Sequence, residues 1–138
     1  MIQMFMMAEK QAIVSDGWYL LTRLHIIERA YGKANDNQTN WDSLKVGIGF
    51  DQYAYADIST ITQNDWLAIA LSKSMERDLV DYLQMWGIQI SAKAISQIKS
   101  MSLPVASRMF FGANDSDYCT EFQPKTLPLD GSSVWPII

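Results

Sequence analysis

The stretch NDWLAIALSKSMERDLVDYLQMWGIQISAKAISQIKSMSLP, residues 64–104, reads as three linked helices and decides the fold class. Asn64 is a good N-cap, and Asp65 puts negative charge at the positive end of the helix dipole. This helix is expected to run to Met75 or Glu76. A second carries Leu79, Tyr82, Leu83 and Trp86 at i, i+3, i+4 and i+7, the spacing of one helix face. Asp78, Asp81 and Gln84 fall opposite. Gly87 stops it, since glycine takes the left-handed conformation at little cost. Ser91 caps a third helix that buries Ala94, Ile95 and Ile98. Ile90 and Ile95 hold the two positions of a hydrophobic staple. Pro104 closes the element. The expectation is that Leu79, Tyr82, Leu83, Trp86 and Ile95 turn inward together.

Working outward, residues 2–14 read as a first helix. Ser15 and Asp16 offer caps for a second over residues 17–31, with Leu20, Leu24, Ile27 and Tyr31 at helical spacing and Gly32 as its stop. Residues 33–40 (KANDNQTN) form a polar loop. Asn40 or Thr39 is placed to cap a short helix with Trp41, Leu44 and Ile48 on one face. Gly47 and Gly49 each cost that helix about 1 kcal/mol. Residues 51–62 lack a clean period and read as loop with a short helical turn. Past Pro104, the prolines 124, 128 and 136 and the glycines 112 and 131 break any long helix. Residues 108–111 read as a short extended piece, and Phe110, Phe111, Phe122 and Trp135 as anchors of a tail over the helical core. The fold class is therefore mainly α. It is a compact domain of about five helices, residues 1–104, with an irregular Pro- and Gly-containing tail, residues 105–138.

Composition fits one domain. The chain has 138 residues, 49% of them hydrophobic, with five Trp, six Tyr and five Phe, too rich in bulky side chains for disorder. Only 19% are charged, below the usual ~25%, as expected for a piece whose surface packs on a neighbour. The net charge of −4 and the lack of a basic run argue against nucleic acid and anionic membrane surfaces. No apolar run approaches the ~20 residues of a membrane span, and the N-terminus lacks the pattern of a secretory signal. Cys119 is the only cysteine, so no internal disulfide forms.

Candidate sites are incomplete. His25 and Glu28 share a helix face at i, i+3, a spacing that supplies two metal ligands, yet His25 is the only histidine. Asn114, Asp115, Ser116 and Asp117, with Glu121, alternate oxygen ligands suited to calcium but lack the EF-hand frame. Asn35, Asp36 and Asn37 are a weaker version, and solvated turns are the default for both. Gly47 and Gly49 do not meet the dinucleotide fingerprint. Asp78 with Asp81, and Asp16 with Glu28, are carboxylates on solvated helix faces. Trp18 or Trp41 is the candidate for lining a partner groove. No catalytic, metal or cofactor residue is assigned.

The anchored residues Asn64-Asp65-Trp66, Leu71-Ser72, Arg77-Asp78-Leu79, Tyr82-Leu83, Met85-Trp86-Gly87 and Ile90-Ser91 carry a resemblance. With Asp16-Gly17-Trp18-Tyr19 upstream, residues 2–104 are similar to a helical region of bacterial zinc metallopeptidases of the enhancin-like, mucin-targeting group (immunomodulating metalloprotease type). The resemblance implies a C-terminal helical region that follows a catalytic part. That part holds zinc through His-Glu-x-x-His and a further Glu, a motif this sequence lacks. It implies a non-catalytic segment of a secreted or cell-surface enzyme acting on glycoproteins, partnered by the catalytic domain of its own parent, with host glycoprotein as substrate. The rival reading is a free-standing helical interaction module.

Overall fold

The computed structural model describes residues 2–107 and the backbone of two short strands, Met109–Phe111 and Thr126–Pro128. The described chain is mainly helical, as expected. Its α-helices are α1 (Ile2–Lys10), α2 (Tyr19–Ala34), α3 (Gln38–Ile48), α4 (Gln63–Met75), α5 (Val80–Met85) and α6 (Ala92–Ser100). A 3-10 helix, Tyr55–Thr60, fills the loop where a short helical turn was expected. Strand β1 (Met109–Phe111) pairs antiparallel with β2 (Thr126–Pro128), Phe110 lying opposite Leu127. The extended piece expected at residues 108–111 thus appears as β1. The side chains of the expected tail anchors Phe110, Phe111, Phe122 and Trp135 lie outside the described residues.

Four helices end in the same way. A residue of positive φ follows each: Ala12 (53°), Gly49 (87°), Glu76 (52°) and Gly87 (80°). Its N–H and that of the next residue reach back to close the last turn, as in Ala12 to Glu9 at 2.9 Å and Ile13 to Ala8 at 2.8 Å. The same pair of bonds recurs at Gly49 and Phe50, Glu76 and Arg77, and Gly87 and Ile88. This is the Schellman arrangement, which satisfies carbonyls left orphaned at a helix end. Two expectations about helix ends are corrected. The first helix stops at Lys10 rather than Val14, because Ala12 turns the chain back. Gly32 does not stop the second, which continues to Ala34.

The start signals shift by a few residues. Thr62 caps α4, its hydroxyl accepting from the Asp65 N–H at 3.1 Å, so Asn64 lies inside the first turn. Asn37 caps α3, accepting from the Asn40 N–H at 2.9 Å; neither Thr39 nor Asn40 does. Asp16 serves α2 from outside by accepting from the Trp18 N–H at 2.9 Å. Ser91 caps α6 through the Ala94 N–H, as expected.

Helix α4 is central. Ala68, Ile69, Ala70, Leu71, Ser72, Ser74 and Met75 are all buried, so it is covered almost all round by α2, α6 and their neighbours. An apolar all-round surface is what a core helix needs. Beside it, Tyr31 of α2 collects Trp41, Phe50 and Trp66 at ring-centroid distances of 5.9, 5.0 and 6.0 Å. Trp41 is fully buried, and its Nε1–H donates to the Tyr53 carbonyl at 2.9 Å, giving the indole the partner a buried ring requires.

The expected stripe is mostly inward. Leu79, Tyr82 and Leu83 are buried and Ile95 packs half-buried on the core. Trp86 is the correction: it is 52% exposed. Helix α5 has only six residues and ends at Met85, so Trp86 sits at its C-cap, where the i+7 extrapolation no longer holds. Its ring rests edge-on against Tyr82, centroids 6.3 Å apart.

Candidate functional site

The sequence candidates are scattered rather than gathered. His25 Nδ1 lies 3.0 Å from Glu28 Oε2 on an exposed face of α2, with both side chains 62% accessible. No group of three or more His, Cys, Asp or Glu side chains among the described residues is arranged to hold a metal. Asn37 is engaged as the α3 cap, and Asn35 sits at the C-cap of α2, which absorbs the weaker calcium candidate into helix termini. Asn114, Asp115, Ser116, Asp117, Cys119 and Glu121 lie outside the described residues. Gly47 is helical in α3 and Gly49 ends it, so neither cradles a phosphate.

Asp78 is not on a solvated face with Asp81. It is half-buried, its carboxylate accepts from the Val80 N–H at 3.0 Å, and its backbone bridges to Val105. The Asp78 N–H donates to the Pro104 carbonyl at 2.8 Å, and the Ala106 N–H donates back to Asp78 at 2.9 Å. Of the two tryptophans considered for a groove, Trp41 is excluded by its burial, whereas Trp18 is 64% exposed.

The described chain contains a buried polar constellation around Asp65 that sequence reading missed. Asp65, 2% exposed, accepts from the Ser91 backbone N–H at 2.7 Å. Tyr53 lies in the same region, packed under the Lys93 ammonium, which stands 4.7 Å from its ring centroid. Burial above all, then the Asp65 charge, pushes the Tyr53 hydroxyl up to about 12, against a smaller lowering by a hydrogen bond with Ser91. Lys93 also pairs with Asp57 at 2.8 Å, and that contact, with the Ala54 N–H, holds the Asp57 carboxyl below its ordinary value. The Tyr53 hydroxyl therefore keeps its proton near neutral pH. The constellation fastens the 50–62 loop, α4 and the start of α6 to one another.

Comparison with known proteins gives this architecture a setting. No family model matches the chain. A curated relative, the immunomodulating metalloprotease of Pseudomonas aeruginosa, is 30% identical over 127 residues, which is 87% of this chain and 13% of the relative. The chain is homologous to a segment of that metalloprotease. Solved structures agree in fold. The IMPa metallopeptidase from Pseudomonas aeruginosa superposes with a TM-score of 0.71 at 24% identity, over 99% of this chain and 15% of that one. The IMPa metallopeptidase in complex with T-antigen gives 0.69 at 22% identity, over 99% and 15%.

Homology to the immunomodulating metalloprotease raises the question of zinc. The described residues do not fit it: a zinc site takes three or four protein ligands. His25 and Glu28 supply two, open to solvent and bonded to each other. A second histidine is absent from the sequence. No helix among the described residues is long and apolar enough to cross a membrane.

Proposed function

We propose that this chain is a non-catalytic helical part of a zinc metallopeptidase that acts on glycoproteins outside the cell or at its surface. There it buttresses the catalytic cleft or shapes the substrate's approach. The observation that carries this reading is the pairing of coverages. The metalloprotease relative matches 87% of this chain, yet the chain spans only 13% of that relative. A His-Glu-x-x-His motif requires two histidines, and this sequence has one. The zinc and its general base are therefore assigned to the rest of the parent. The complex of a related metallopeptidase with T-antigen supports the substrate class.

Two measurements test the proposal. Purified chain incubated with zinc and either mucin or casein is expected to leave both intact; cleavage abolished by a chelator would overturn it. The full reading frame is expected to hold His-Glu-x-x-His upstream of this segment. A motif downstream instead would move the segment to the other side of the catalytic part, and a frame with no such motif would remove the reading altogether.

A further inference from the structure

We propose that the exposed apolar patch of Ile2, Trp18 and Tyr19, with Phe5 buried beneath Trp18 and Ile26 farther along α2, is the face on which this segment docks against the remainder of its own parent polypeptide. This inference rests on the reading above. Ile2 and Phe5 are three residues apart on α1 and share a side of it, and Phe5 meets the Trp18 ring with centroids 5.1 Å apart. Tyr19 and Ile26 are seven apart on α2, with Thr22 and the Glu76-paired Arg23 on the turn between them. The patch is open: Ile2, Trp18, Tyr19 and Ile26 are 68, 64, 54 and 62% exposed.

Trp18 is also held ready. The Gly17 N–H donates to Glu9 Oε2 and the Trp18 N–H to Asp16 Oδ1, each at 2.9 Å. Gly17 lies so tightly on α1 that a Cβ there would fall 2.6 Å from the Phe5 carbonyl oxygen. A large aromatic ring on a pinned backbone loses little conformational freedom when covered, the property of an interface anchor.

The occupant follows from length. With 13% of the relative matched, a parent of that size carries most of its residues outside this segment. Domain interfaces within one chain bury about 600–1,500 Å², enough to cover such a patch. The low share of charged residues, 19%, agrees with a surface that faces protein rather than water on one side.

Hydroxyl-radical footprinting of the full-length parent beside this chain tests the inference, with buried Trp41 as the folding control in both. Trp18 and Tyr19 should label readily in the chain and about tenfold less in the parent, and Trp18→Ser in the parent should restore labelling of Tyr19. Equal labelling in both would overturn the proposal. So would protection already present in the dilute chain, which would assign the patch to the chain's own residues 112–138. Protection that appears only as the chain is concentrated would assign it to a second copy and also overturn the proposal. A parent frame lacking His-Glu-x-x-His defeats the function proposed above, whereas a frame containing it with Trp18 left open defeats the docking face alone.

Discussion

Asp65 of α4 accepts a hydrogen bond from the backbone N–H of Ser91 at 2.7 Å, and Ser91 in turn caps α6 through the Ala94 N–H. One buried carboxylate thus fixes where a helix 26 residues later begins. A hydrogen bond to a charged group contributes about 1.5–3 kcal/mol, and losing the acceptor leaves a half-buried N–H without its partner. Asp65→Ala is expected to destabilise the fold by about 2–3 kcal/mol in urea denaturation. Asp65→Asn, which keeps an acceptor but not the charge, should cost less. Equal losses in the two variants would show that side-chain packing, not the bond, matters there.

Tyr53 gives stability a dependence on alkaline pH. Its hydroxyl stands near 10 in the unfolded chain and is pushed up to about 12 in the fold, chiefly by burial. Between those values the unfolded state has lost the proton and the folded state still holds it. The contribution is therefore complete below pH 10 and is lost as pH rises toward 12. Burial raises Tyr31 and Tyr82 in the same direction, which steepens the fall. Denaturation midpoints of Tyr53→Phe should decline less over this window than those of the parent sequence. An unchanged slope would contradict the assignment.

Ala12 and Gly17 sit at the same turn and should respond oppositely to substitution. Ala12 is exposed and carries a positive φ of 53° that costs an L-residue about 1–2 kcal/mol. Ala12→Gly should raise the midpoint by relieving about 1 kcal/mol, part of it offset by the freedom glycine has when unfolded. Gly17→Ala should destabilise and displace Trp18, since the added Cβ would meet the Phe5 carbonyl oxygen at 2.6 Å. Thermal denaturation with Trp18 fluorescence reads both effects. Gly32→Ala, helical and with nothing within 4 Å of the added carbon, should stabilise by about 0.5–1 kcal/mol.

Arg23 ties three parts of the chain together. It donates to the Ser74 carbonyl at 2.9 Å, to Glu76 Oε1 at 3.0 Å and to the Ile13 carbonyl at 3.3 Å. The ion pair itself is largely exposed and is worth under about 1 kcal/mol. The carbonyl bonds need the planar fork, which lysine does not reproduce. Glu76→Gln should therefore change stability little, while Arg23→Lys and Arg23→Ala should each cost about 1–2 kcal/mol in chemical denaturation. A larger loss for Glu76→Gln than for Arg23→Lys would reverse this assignment.

Much of the fold was written locally. Gly87 ends α5 and Ser91 starts α6 because left-handed backbone and a side-chain acceptor are demands that few residue types meet. The spacing of Leu20 and Ile27, and of Leu79, Tyr82 and Leu83, named inward faces because a helix repeats every 3.6 residues whatever surrounds it. The single histidine settled from composition alone that a His-Glu-x-x-His motif is not here.

Only the folded chain decided the rest. Thr62 rather than Asn64 caps α4, because both side chains can accept the bond and the backbone entering the helix selects between them. Ala12 and Glu76 end helices without glycine, the backbone hydrogen bonds that close the last turn offsetting a strained φ that no local pattern advertises. Trp86 faces water because a six-residue helix is too short to impose its period on the next residue. Asp65 and Ser91 met through contacts across the core, which sequence spacing cannot encode, and tertiary packing likewise left Trp18 exposed while burying Trp41.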